Sequence, residues 1–103
     1  MQVVVFEVWI KPELTQQYLD LAAELRPEVA NIDGFISVER FESMSEPGKY
    51  VSISFWRDGD AVADWKAHEG HNLAQEKGKA GIFSDFRISV CDVGRQYAMA
   101  DRV

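Results

Sequence analysis

The densest group of chemistry-bearing side chains runs from Asp64 to Asn72 and holds both histidines of the chain, His68 and His71. The order His68-Glu69-Gly70-His71 falls one residue short of the His-Glu-x-x-His spacing. That spacing sets two imidazoles one helical turn apart with a glutamate beside the metal. A looser stripe of Asp64, His68 and His71 at i, i+4 and i+7 could offer three ligands, but Gly70 disturbs the helix that would hold them. Capping and surface roles explain such residues more often, so no metal site is expected. Trp65 stands three residues after Val62 on the same predicted helix and can serve as a core side chain. Its indole N–H can equally donate to a substrate oxygen in an apolar pocket, with a histidine nearby as proton acceptor. Cys91 is the only cysteine, which excludes an intrachain disulfide. It reads as a small hydrophobe in a strand, since no local run of positive charge would activate it. Glycine-rich phosphate loops and the Gly-x-Ser-x-Gly elbow are absent from the sequence, leaving nucleotide and acyl-enzyme chemistry without support.

The elements that must position these residues follow from periodicity. Gln2 to Ile10 is β-branched and aromatic and ends at Lys11-Pro12, which predicts a strand followed by a helix with proline in its first turn. Val3, Val5 and Trp9 point to one side of that strand, and Val4, Phe6, Val8 and Ile10 to the other. Leu14, Tyr18, Leu21, Leu25 and Val29 recur at steps of four, three, four and four, the pattern of an amphipathic helix ending near Asp33-Gly34. Pro27 should kink or interrupt it. Phe35 to Met44 and Lys49 to Arg57 form a hairpin about Ser45-Glu46-Pro47-Gly48. In its second strand Val51, Ile53 and Phe55 share one face, and Tyr50, Ser52, Ser54 and Trp56 the other. Asp58 can cap a second helix through Val62, Trp65 and Ala67. Gly70 should split that helix, with Leu73 to Gly78 as its continuation. Gly81 to Ser84 is expected as a loop and Asp85 to Tyr97 as a last strand.

The order β-α-β-β-α-β predicts an α+β, ferredoxin-like domain over residues 1–103, a four-stranded antiparallel sheet with two helices on one face. Such a sheet leaves an apolar face uncovered, and a second copy packed by two-fold symmetry is the simplest cover. A homodimer is therefore expected, with the tail from Arg95 to Val103 reaching the partner. The 103 residues carry 11 Lys+Arg against 17 Asp+Glu, a net charge of −6, which is the wrong sign for a surface that meets phosphates. Nucleic acid is not an expected partner. With no apolar run near 18 residues, no membrane association is expected and the chain is expected to be cytoplasmic.

Several motifs together resemble the antibiotic biosynthesis monooxygenase family. They are Asp33-Gly34-Phe35-Ile36-Ser37 leading to Glu39-Arg40-Phe41, then Tyr50-x-Ser52-x-Ser54-x-Trp56, then Ala61-x-x-x-Trp65-x-x-His68-x-x-His71. The last is the strand from Asp85-Phe86-Arg87-Ile88 to Arg95-x-Tyr97. The resemblance covers essentially the whole chain and implies a dimeric α+β barrel. It implies oxidation of phenols or quinols by molecular oxygen without flavin, metal or haem. Trp65 matches the tryptophan placed over the ligand, His71 falls where a polyphenol-oxidising relative has a tyrosine, and Arg87 could hold a substrate oxygen. The haem-degrading branch has a histidine ligand ten residues after that tryptophan, where this chain has Gln75, and an asparagine near Glu7. Glutamine is a poor axial ligand, so haem degradation ranks below the cofactor-free chemistry.

The function expected is a cofactor-independent monooxygenase acting on an aromatic phenol or quinol. His71 or His68 is the base, Trp65 the wall and orienting donor, and Arg87, Tyr18, Phe41, Phe55 and Phe83 the substrate contacts. A non-catalytic small-ligand-binding or stress-related member of the same fold is the alternative.

Overall fold

The computed structural model describes residues 1–68 and 81–101. Its strands are β1 (Gln2–Ile10), β2 (Phe35–Glu42), β3 (Lys49–Trp56) and β4 (Phe83–Asp92). Helix α1 spans Thr15–Ala30, and helix α2 is described over residues 59–68. The strands form one antiparallel sheet in the order β2-β3-β1-β4, which is the ferredoxin-like arrangement expected. Both helices lie on one face, because Val29 of α1 and Ala61, Val62 and Trp65 of α2 share a buried cluster with Val4 and Trp56.

The two-sided pattern of β1 is realised residue by residue. Val4, Val8 and Ile10 are buried beneath the helices, and Val4 and Trp56 are fully inaccessible. Val3 and Val5 lie opposite Phe55 and Ile53 on the other side of the sheet. The helix side holds two apolar clusters, the one around Val4, Trp56 and Trp65 and a second around Val8, Ile10, Tyr18 and Ile82. Phe6 packs against both.

Some boundaries differ from expectation. Pro27 does not interrupt α1, which runs from Thr15 to Ala30. The proline withholds a bond only from the carbonyl of Ala23, and Ala23 and Pro27 are both on the exposed side, where water can serve that carbonyl. Strand β4 starts at Phe83, inside the expected loop, and stops at Asp92 instead of Tyr97. Pairing with β1 decides both ends: Ile10 lies opposite Phe83 and Gln2 opposite Asp92, so beyond Asp92 no β1 residue remains to pair. The expected split at Gly70 and the continuation to Gly78 lie outside the described residues.

Two loops are locked where a side chain would not fit. Gly34 has φ +91°, and a Cβ there would stand 2.6 Å from that of Ala61. Gly48 has φ +81°, and its carbonyl accepts from the Ile10 amide at 2.9 Å, closing the hairpin onto the end of β1. Arg57 braces the start of α2, donating to both carboxylate oxygens of Asp33 at 3.3 and 3.0 Å and to Asp58 at 3.1 Å. Asp58 in turn caps α2 by accepting from the Ala61 amide at 3.0 Å, as the sequence suggested.

The open face of the sheet carries a linked group of three charges among its apolar residues. Arg87 donates twice to Glu7, at 2.6 and 2.8 Å, and Lys49 lies 3.1 Å from the same carboxylate. Lys49 and Arg87 also stand over the Trp9 ring. The Arg87 guanidinium, and after it the Lys49 ammonium, lower the Glu7 pKa from 4.5 to about 2. A carboxyl whose pKa is depressed on folding contributes stability in full above its unfolded value and loses it as the pH falls through its folded one. The Glu7 contribution is therefore present above 4.5 and lost toward 2. Thermal melting followed from about pH 5 to about pH 2 should fall less steeply for Glu7→Gln than for the parent chain. Parallel curves would show that the pair contributes nothing to acid sensitivity.

Candidate active site

The helix-facing side of β3 reads Tyr50, Ser52, Ser54, Trp56, with two small hydroxyl residues between two large aromatics. Tyr50 packs on Tyr18 of α1 at 5.7 Å between ring centroids, and Trp56 on Trp65 of α2 at 6.3 Å. Between these supports the small serines leave a cavity in which water centres can range over about 70 Å³. Phe6 stands at its floor, and Tyr18, Leu21, Leu25, Trp65 and Phe83 supply most of its apolar wall. The α1 residues are those of the helical periodicity, and Leu21 and Leu25 keep partial exposure because they face this space.

Among the described residues the polar lining is sparse. Ser52 and Ser54 are both buried, and Ser54 Oγ accepts from the Trp56 indole N–H at 2.9 Å. Arg40 of β2 enters the lining opposite α1, and its Nε donates to the Tyr18 hydroxyl at 2.9 Å. The guanidinium carbon lies 5.5 Å from the centre of the Tyr18 ring.

Of the expected site residues, the fold brings Trp65, Tyr18 and Phe83 together on this cavity. Phe55, Phe41 and Arg87 are on the opposite face of the sheet. Phe55 pairs with Val3, and Arg87 pairs with Glu7, so β1 fixes both on its outer side. Phe41 is displaced by a β-bulge. Phe35 lies opposite Trp56 while Ser37 lies opposite Phe55, so Ile36 is a surplus residue in β2. Simple alternation from Phe35 would turn Phe41 inward, whereas after the bulge Val38 and Arg40 face the helices and Phe41 is 44% exposed on the far side. Arg40, not Arg87, is the guanidinium at the cavity.

His68 does not line the cavity. Its Nε2 lies 3.8 Å from Glu28 near the end of α1, and that nitrogen is buried without a hydrogen-bond partner among the described residues. His71 and Gln75 lie outside the described residues. No cluster of three metal-ligating side chains occurs among the described residues.

Comparison with known proteins decides the family. The antibiotic biosynthesis monooxygenase model matches residues 1–77. The chain belongs to this family. The chain is 44% identical over 90 residues to the jasmonate monooxygenase of Pyricularia oryzae, covering 87% of this chain and 42% of that protein. Thus it spans less than half the length of that relative. A crystal structure of a Deinococcus radiodurans protein assigned to the same family superposes with a TM-score of 0.81 at 18% identity, covering 96% of this chain and 98% of that one. The structure of SnoaB, a cofactor-independent oxygenase from Streptomyces nogalater, superposes with a TM-score of 0.75 at 16% identity, covering 92% and 94%. At such identities the structural likeness establishes the shared fold. Among the described residues, no helix is long and apolar enough to cross a membrane.

The Ser54 hydroxyl is the acceptor that satisfies a fully buried indole N–H. Ser54→Ala should cost about 1–3 kcal/mol in denaturant unfolding, because the Trp56 donor is left buried and unpaired. An unchanged midpoint would show that the serine is present for the cavity and not for the fold.

Proposed function

We propose that this chain is a monooxygenase that takes a small, largely apolar substrate into the cavity between the helices and the sheet and oxidises it with molecular oxygen. The observation that carries this is a mostly apolar cavity walled by Trp65, holding an Arg40–Tyr18 pair, in a chain of the antibiotic biosynthesis monooxygenase family.

The substrate class proposed is a phenol or quinol, used without a bound cofactor. Loss of the phenolic proton to a base gives an anion rich enough in electrons to reduce oxygen itself. A ring C–H position then forms a bond to one oxygen atom, the ring becomes a quinone, and the second oxygen atom leaves as water. The protein supplies a dry wall, donors for the anionic oxygen and a proton acceptor. In this scheme Trp65 orients the ring and donates to its oxygen, the Arg40–Tyr18 pair holds a polar group elsewhere on the substrate, and His71 is the base. His68 is a weaker choice for that role because it stands against Glu28, away from the cavity. The 44% identity to a jasmonate monooxygenase favours a second substrate, jasmonate itself, which has no phenol to supply electrons and whose oxygenation therefore needs an added two-electron reductant such as a reduced nicotinamide or flavin. Oxygen consumption with hydroquinones, with anthrones, and with jasmonate plus such a reductant should identify the class. Trp65→Phe is expected to lower kcat/KM about tenfold on whichever substrate turns over. Binding without oxygen uptake across the panel would make the protein a ligand-binding module instead.

We further propose that two copies pack through the open sheet face, where Val3, Val5, Val51, Ile53 and Phe55 lie side by side and Phe41 is exposed. Light scattering should give twice 11.7 kDa. A monomer mass at micromolar concentration would remove the dimer.

A further inference from the structure

We propose that Arg40 is a specificity-determining residue that anchors a carboxylate on the substrate, with Tyr18 as the residue that positions it. The inference rests on the cavity being the substrate site.

The arginines of this protein with described side-chain partners differ in what they bind. Arg87 is engaged by both oxygens of Glu7, and Arg57 by Asp33 and Asp58. Both are neutralised by carboxylates within the chain. Arg40 instead donates Nε to a phenolic hydroxyl and forms no ion pair among the described residues. A guanidinium carries five N–H donors, and the bond from Nε uses one. The four on the two terminal nitrogens form the planar fork that matches both oxygens of a carboxylate. A single phenolate oxygen would use that fork less fully.

The surroundings have the same bias. The chain carries six more acidic than basic residues, yet among the described residues the charged ones lining the cavity are Arg26, Arg40 and Glu39. Glu39 pairs with Ile53 in the sheet, so its side chain belongs to the opposite face. The cavity therefore presents the Arg40 guanidinium of β2, with Arg26 of α1 also in its lining, beside a wall of apolar side chains on a net acidic protein. A ligand with an apolar body and one carboxylate complements that distribution. Tyr18 is buried and takes ring contacts from Tyr50 and Phe83, so its hydroxyl holds a fixed position for Arg40 Nε.

Isothermal titration under anaerobic conditions tests this without requiring turnover, using 4-phenylbutyrate, its methyl ester and 4-propylphenol. The acid is expected to bind at least about tenfold more tightly than the ester or the phenol, with affinity falling as salt is added. Arg40→Gln should remove that preference and leave ester binding within about twofold, and Arg40→Lys should retain part of it because the charge stays while the fork is lost. Tyr18→Phe should lower the acid-to-ester ratio, a selectivity that general loosening of the cavity would not change. Equal binding of acid and ester, stronger binding of the phenol, failure of the acid to bind, or equal losses for acid and ester in Arg40→Gln would each overturn the proposal. If the acid preference holds and no substrate consumes oxygen, the anchor stands and the oxygenase reading falls. If oxygen is consumed by substrates lacking a carboxylate and the acid shows no preference, the reverse follows.

Discussion

Everything at the candidate site depends on the uneven size of the side chains along one face of β3. Tyr50 and Trp56 at its ends meet Tyr18 and Trp65 from the two helices, while Ser52 and Ser54 between them are too small to fill the gap. Close packing would normally eliminate such a space, because side chains in a core interdigitate to nearly crystalline density. Here the aromatic pairs act as spacers, and the helices rest on them without closing on the centre of the sheet. The core is divided into two clusters as a result, and Phe6 is the side chain common to both.

The same geometry explains why the position of Trp65 is well determined. It sits on a helix whose first turn is capped by Asp58, and Asp58 is held through Arg57 to Asp33 in the loop that leads into β2. Gly34, in that loop, lets the backbone approach Ala61 more closely than any side chain would permit. The loops on either side of the β2–β3 hairpin thus converge on the N-terminal turn of α2. A ring carried one turn further along that helix inherits their rigidity.

The fold was legible because its signals are local and repeated. Alternation along β1 and β3, the three- and four-residue steps of α1, the Pro-Gly hairpin and the Asp58 cap each point to the element observed. The motifs around Trp65 carried the family. The site was legible only in part. Tyr18 and Phe83 are found at the cavity because one follows a helical stripe and the other closes against Ile10. Phe41 and Arg87 were misplaced for different reasons: a bulge inverts the first, and the second is claimed by Glu7 across a strand pair eighty residues apart in sequence. Neither event leaves a mark in residue spacing. Ser52 and Ser54 were visible as a mixed face, but the absence of a large side chain does not announce a cavity until the helices are in place.

The surplus residue at Ile36 also limits how β2 could vary in length. Phe35, which packs on Trp56, and Arg40, which enters the cavity, are five positions apart, an odd spacing that a regular strand would send to opposite faces. Loss of Ile36 itself would straighten the strand and restore an even spacing, leaving both residues where they are. A relative one residue shorter here can therefore keep the same cavity. A loss of one residue between the bulge and Arg40 would instead set Phe41 opposite Ser52, exchanging a cation for a phenyl ring at its wall while leaving the composition of β2 almost unchanged. In this strand the count of residues, more than their identity, decides which chemistry the cavity receives.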